Sequence, residues 1–189
     1  PPPLSHHTPR APPPGPPSPP RGPASPGRQI AKRARPFGVE VIGARRTVVD
    51  DDRADRMVTM NDLGDVLPSV DVVVVACPLT DETRGLVDKQ FLDQMPNHSI
   101  LVNVSRGPVV KTDDLLDALD AGRSIRAVLD VFDTEPLEPT SPLWNHEAVT
   151  LTSHIAGAGS GITKRGDDVF IEQLDAYLAG RELRLELKP

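Results

Sequence analysis

From Gly27 onward, short aliphatic runs alternate with amphipathic segments bounded by turn residues, and that alternation predicts strands separated by helices. Val39–Gly43, Met57–Met60, Val72–Cys77, Ile100–Val104, Ile125–Val131 and Val149–Thr152 read as strands. Val72–Cys77 (VVVVAC) is apolar on both faces, the pattern of a parallel strand buried from two sides. Between the strands, Gln29–Arg35 reads as a basic helix ended by Pro36 and Gly38, and Asn61 as the cap of a helix that reaches Leu67 and stops at Pro68. Lys89–Met95 is a short helix. Thr112, followed by Asp113 and Asp114, opens another that ends at Ala121 before Gly122. Asp50–Arg56 is a charged loop, and a last helix runs from Ser160 or Thr163 to Leu178 with Gly180 as its stop. Strands alternating with helices at this spacing predict an α/β domain with a parallel sheet.

Composition changes the picture at the front of the chain. Of the 22 prolines in 189 residues, 13 fall in residues 1–26. Proline fixes φ, lacks an N–H and restricts the residue before it, so residues 1–26 are expected to be a disordered or polyproline II leader, and residues 27–189 the folded domain. The leader reads as a solvated tail; Pro16, Pro19 and Arg21 also form a PxxPxR pattern of the kind an SH3-type groove takes. Residues 27–189 carry 19 basic and 27 acidic groups, a balance that argues against a nucleic-acid partner. The longest apolar run, Val70–Leu79, is interrupted by Asp71 and is too short to span a membrane. With one cysteine, Cys77, the expected setting is a reducing cytoplasm. Six aromatic residues leave the core to be aliphatic.

In open parallel sheets ligands bind beyond the carboxyl ends of the strands. The strands here lead in turn into Pro78-Leu79-Thr80, into Ser105-Arg106-Gly107, into Asp130 with Asp133 and Glu135, and into Ser153-His154-Ile155-Ala156-Gly157. Each of these residues alone suits an ordinary structural role. A cation, carboxylates and a histidine converging on one edge suit proton transfer beside an anionic substrate.

The stretches CPLTDETRGLVD, LVNVSRGPVV, LDVFDTEPL and SHIAG, in this order and spacing, resemble the C-terminal NAD(P)-binding domain of the D-isomer-specific 2-hydroxyacid dehydrogenases, among them the glyoxylate/hydroxypyruvate reductases. The resemblance runs from Gly27 to Leu185 and implies a Rossmann-type, doubly wound parallel sheet. It implies an oxidoreductase acting on the CH–OH group of small D-2-hydroxy acids, with a small 2-oxo acid as partner and a homodimer in the intact family member. By resemblance, Arg106 holds the substrate carboxylate, His154 exchanges a proton with the carbonyl oxygen, Glu135 hydrogen-bonds His154, and Asp130 orients the nicotinamide. The implied cofactor-facing set is Gly27, Arg28, Cys77, Pro78, Leu79, Thr80, Val104, Ser105, Arg106, Asp130, His154, Ala156 and Gly157. Arg45 and Arg46 join it from the end of the second Rossmann strand, where an NAD-preferring domain has an acid. Two arginines there lean towards NADP(H) over NAD(H). Trp144, before the last strand, reads as a packing residue.

Two departures from the family pattern set further expectations. A substrate domain is expected ahead of the nucleotide domain. Gly27 looks like the third glycine of G-x-G-x-x-G, with Gly22-Pro23-Ala24-Ser25-Pro26 where the first strand and two glycines belong. The fold is therefore expected to be incomplete, lacking its first strand and substrate domain, with two sheet edges left unpaired. An N-terminally truncated or misassembled gene product, with a leader read from GC-rich DNA in a wrong frame, is one expectation. Rival readings are a non-catalytic dinucleotide-binding regulatory protein with a proline-rich interaction tail, and a non-functional fragment.

Overall fold

A computed structural model of the chain describes residues 26–47, 53–159 and 161–183. The proline-rich leader with its Pro16–Arg21 pattern, the start of the Asp50–Arg56 loop and Ser160 lie outside the described residues.

The elements in chain order are α1 (Pro26–Ala34), β1 (Ile42–Arg45), β2 (Arg56–Thr59), α2 (Leu63–Val66), β3 (Val72–Val75), α3 (Lys89–Gln94), β4 (Ile100–Asn103), α4 (Thr112–Asp120), β5 (Arg126–Leu129), β6 (Val149–Leu151) and α5 (Ile162–Leu178). All strand pairs are parallel, as expected of strands joined by helical crossovers. They form two sheets, β1-β2 and β3-β4-β5-β6. Among the described residues no strand joins β1 to β3. The fold is thus an incomplete Rossmann-type α/β domain, interrupted where its first strand belongs.

The core lies on one face of the four-stranded sheet. The register aligns Val73, Leu101, Ala127 and Val149 in one row and Val75, Asn103, Leu129 and Leu151 in the next. These rows pack with Phe91 and Leu92 of α3 and with Leu115, Ala118 and Leu119 of α4. Leu92, Leu101 and Leu115 are fully buried, each contributing about 1.5–3 kcal/mol by leaving water. Asp88 holds the start of α3, its Oδ1 accepting from the Phe91 N–H at 3.0 Å. Arg123 closes the other end, Nη2 donating to the carbonyls of Leu92 (3.1 Å) and Met95.

The opposite face differs from the expectation for VVVVAC. Val72 is 51 % exposed and Val74 37 %, so β3 is buried on one side only. The helices that would cover that side pack weakly: α1 has no buried residue, and α5 leaves Phe170, Ile171, Leu174, Tyr177 and Leu178 exposed. An apolar run therefore reported the side chains' preference, and the missing neighbours decided their exposure.

Other differences are local. The first strand is Ile42–Arg45 and not Val39–Gly43, because Val41 instead accepts from Asp55 and Arg56 through its carbonyl. α1 starts at Pro26, a position where proline's missing N–H costs nothing. Thr59 and Asp62, and not Asn61, form the cap before α2, with Asp62 Oδ2 accepting from both the Thr59 N–H and hydroxyl. Trp144 is 53 % exposed, its indole N–H donating to the Glu138 carbonyl at 2.9 Å; Leu143 beside it fills the core.

Candidate active site

The parallel register sends every strand of the larger sheet out at the same edge, so the turns after β4, β5 and β6 are neighbours. They bring Arg106, Glu135 and His154 together. His154 Nδ1 lies 2.7 Å from Glu135 Oε2. The other Glu135 oxygen accepts from the Phe132 N–H at 3.0 Å. The His154 hydrogen bond, then the Phe132 N–H and the charges of His154 and Arg106 hold the Glu135 carboxyl below its ordinary range. Nδ1 being committed to Glu135, Nε2 is the nitrogen left to meet a substrate.

His154 has φ +56°, a left-handed conformation uncommon outside glycine. Asp130 holds the turn there. Its carbonyl accepts from the His154 N–H at 2.8 Å. Its Oδ1 accepts from the Thr152 hydroxyl and the Ile155 N–H (2.9 Å), and its Oδ2 from the Ala156 N–H (2.9 Å). Asp130 is 3 % exposed. Burial opposes its charge, but the bonds from Thr152, Ala156 and Ile155 and the nearby His154 outweigh it and keep the carboxyl below the usual aspartate range. Sequence reasoning gave Asp130 a cofactor-facing role alone; its main contacts are to the turn that carries His154.

Arg106 is exposed and donates one bond, from Nη1 to the Ser105 carbonyl at 2.6 Å. Its turn is shaped by Asn103, a residue not singled out in the sequence. The signal was available: a polar residue closes an otherwise aliphatic strand, Ile100–Asn103. Asn103 Oδ1 accepts from the Ser105 N–H (3.0 Å) and hydroxyl (2.8 Å), and Nδ2 donates to the Arg106 carbonyl (3.1 Å).

The turn after β3 carries the expected dinucleotide-facing residues Pro78, Leu79 and Thr80. Thr83 shapes the Pro78–Thr80 turn, its hydroxyl donating to the Pro78 carbonyl (2.7 Å) and accepting from the Thr80 N–H (2.8 Å). Cys77 is half-buried, and burial pushes its thiol pKa up. Gly27 sits in the first turn of α1 against the end of β3, where a methyl group would lie an ordinary 3.8 Å from Ala76 Cβ. No close approach demands glycine there. Arg45 and Arg46 are exposed at the end of β1. The Thr80 hydroxyl bond, with a smaller contribution from the charge of Arg46, holds Glu82 below its usual range. Val104, Ser105, Ala156 and Gly157 lie in the turns already described. The clefts elsewhere are shallow and open, one beside Lys89, Lys111 and Asp114 and one beside Arg84, Thr112 and Asp133. The His154 site is an open shelf. Among the described residues, no cluster of His, Cys, Asp and Glu is placed to hold a metal ion.

Residues 22–156 match the family model for the D-isomer specific 2-hydroxyacid dehydrogenase, NAD binding domain. The chain belongs to this family. It is 37 % identical over 158 residues to the glyoxylate/hydroxypyruvate reductase A HPR2 of Arabidopsis thaliana, covering 83 % of this chain and 49 % of that protein. A D-isomer specific 2-hydroxyacid dehydrogenase family protein from Aeromonas salmonicida superposes with a TM-score of 0.77 at 30 % identity, over 86 % of this chain and 52 % of that one. A D-isomer specific 2-hydroxyacid dehydrogenase from Xanthobacter autotrophicus Py2, solved with NADPH and MES, gives 0.73 at 34 % identity, over 80 % of this chain and 62 % of that one. The chain spans about half the length of the curated relatives it matches.

Proposed function

We propose that the chain is the nucleotide-binding half of an NAD(P)-dependent 2-hydroxyacid dehydrogenase that reduces a small 2-oxo acid such as glyoxylate or hydroxypyruvate. The 2.7 Å His154–Glu135 pair beside an uncrowded arginine carries the reading. A guanidinium fork matches a planar carboxylate, so Arg106 binds the acid group and draws charge from the adjacent carbonyl. Protonated His154 donates from Nε2 to the carbonyl oxygen, and Glu135 compensates the imidazolium. In the reverse direction neutral His154 takes the hydroxyl proton. The bound dinucleotide supplies the hydride that reaches C2. Asp130 keeps the His154 turn in place, and the α1 start, the Pro78–Thr80 turn, Cys77, Val104, Ser105, Ala156 and Gly157 line the cofactor side.

Two exposed arginines and no acid at the end of β1 support NADPH over NADH, with Arg45 and Arg46 meeting the 2′-phosphate. A second reading, dinucleotide binding without turnover, is favoured by the open shelf around His154. A reducing, cytoplasmic setting is part of the proposal, since the only cysteine has no partner within the chain.

The deciding experiment titrates the protein with NADPH and NADH and follows consumption of the reduced dinucleotide with glyoxylate and hydroxypyruvate. Turnover that disappears in His154→Asn supports the reductase. NADPH binding without turnover supports the second reading. Binding of neither dinucleotide refutes both.

A further inference from the structure

We propose that Asn103 and Gly107 are positioning residues that lock the Arg106 turn against the Phe132–Glu135 turn, so that the anion-binding arginine and the Glu135–His154 pair keep one fixed geometry. This coupling rests on the assignments made above for Arg106, Glu135 and His154.

The two turns leave adjacent strands, with Asn103 of β4 in register with Leu129 of β5. Asn103 is buried and ties the Arg106 turn internally through three hydrogen bonds. At Gly107 the turns meet backbone to backbone. A methyl group there would lie 1.9 Å from the Phe132 carbonyl carbon, 2.0 Å from its oxygen and 2.4 Å from the Asp133 nitrogen. No flexible side chain stands in the way to yield, so any residue larger than glycine must push Phe132 and Asp133 aside. Phe132 is the residue whose N–H holds Glu135. A second fastening lies one turn further on, where the Thr112 hydroxyl donates to Asp133 Oδ2 at 2.7 Å. Displacement at Gly107 therefore passes through Phe132 to Glu135 and on to His154. Loss of the Asn103–Arg106 bond frees the same turn from the other side.

The test is proton and nitrogen NMR of the full labelled chain, reading the His154 ring nitrogens through the cross-peaks of its Cε1–H and Cδ2–H, which are identified by their loss in His154→Asn. Those ring protons do not exchange with water, so the signature of an Nδ1-protonated, hydrogen-bonded imidazole can be read although the pair is about half exposed. In Gly107→Ala and in Asn103→Asp that signature is expected to be lost, while Gly166→Ala, whose added methyl meets nothing within 4 Å, keeps it. Asn103→Asp is nearly isosteric and retains the acceptor for Ser105, so it decides the matter if Gly107→Ala does not fold. An unchanged signature in a folded Asn103→Asp or Gly107→Ala overturns the coupling. Absence of the signature in the unsubstituted protein overturns the Glu135–His154 assignment itself, and the coupling with it.

Discussion

Replacing Asp130 by asparagine tests the turn that carries His154. The carboxylate accepts three bonds, from Thr152, Ile155 and Ala156. With the amide oxygen placed at Oδ1, the bonds from Thr152 and Ile155 survive but lose their charge. The amide nitrogen then confronts the Ala156 N–H, donor against donor. Hydrogen bonds to charged groups contribute about 1.5–3 kcal/mol and neutral ones about 0.5–1.5. Two weakened bonds and one lost give about 4 kcal/mol. The three donors belong to exposed residues, so water recovers part of this, and a net loss of about 2–3 kcal/mol is expected. For a chain of this size that lowers the thermal midpoint by roughly 5–10 °C.

The pH dependence has a defined sign. Asp130 has a lowered folded pKa, so its stabilisation is present above its unfolded pKa, about 4, and is lost as pH falls through the folded value. Urea titrations followed by circular dichroism at pH 7, 5, 4 and 3 should show a gap between wild type and Asp130→Asn that is level from pH 7 to 5 and narrows below about pH 4. A gap under about 0.5 kcal/mol at pH 7, the size of an ordinary surface substitution, would refute the clamp. So would a gap that keeps its full size down to the acid end.

Further outcomes rest on other contacts. Leu101→Ala, at a fully buried position of β4, should cost about 2–5 kcal/mol in urea titration. Arg123→Ala removes the donor that closes α3 and should cost about 1–3 kcal/mol, with amide exchange accelerated first in Lys89–Met95. Cys77 should react slowly with a thiol reagent at pH 7 in the folded protein and at the free-thiol rate in urea, because burial raises its pKa. In Glu135→Gln the carboxylate charge is gone, so the acid-side loss of stability that Glu135 contributes below about pH 4 should disappear from the stability profile.

The strand-and-helix order and the edge that gathers Arg106, Glu135 and His154 were legible, because period, turn residues and strand-end polarity are local. Burial of Val72 and Val74 was not legible. It depends on what packs against β3, and neither α1 nor α5 covers that face. Gly107 was read as part of a motif, yet its reason, a backbone contact with Phe132, joins segments 25 residues apart. Asp130 was placed correctly at the strand end. Its commitment to the His154 turn needed coordinates, since donors at 152, 155 and 156 are ordinary residues until the turn folds. Trp144 misled because aromatic size suggests packing, whereas a single indole bond to Glu138 holds it at the surface.

The half-covered sheet also bears on how the protein behaves in concentrated solution. β3 offers four consecutive valines along a ladder edge with no partner among the described residues, and two of them face outward. An extended, uncharged, proline-free edge is a template for another chain's backbone. Asp71 on one side and Pro78 on the other are the nearest gatekeepers, and neither lies within the strand. Self-association should therefore rise steeply with protein concentration and be seeded at this edge. A charged residue in place of Val72 or Val74 should raise solubility without touching the buried rows of Val73 and Val75.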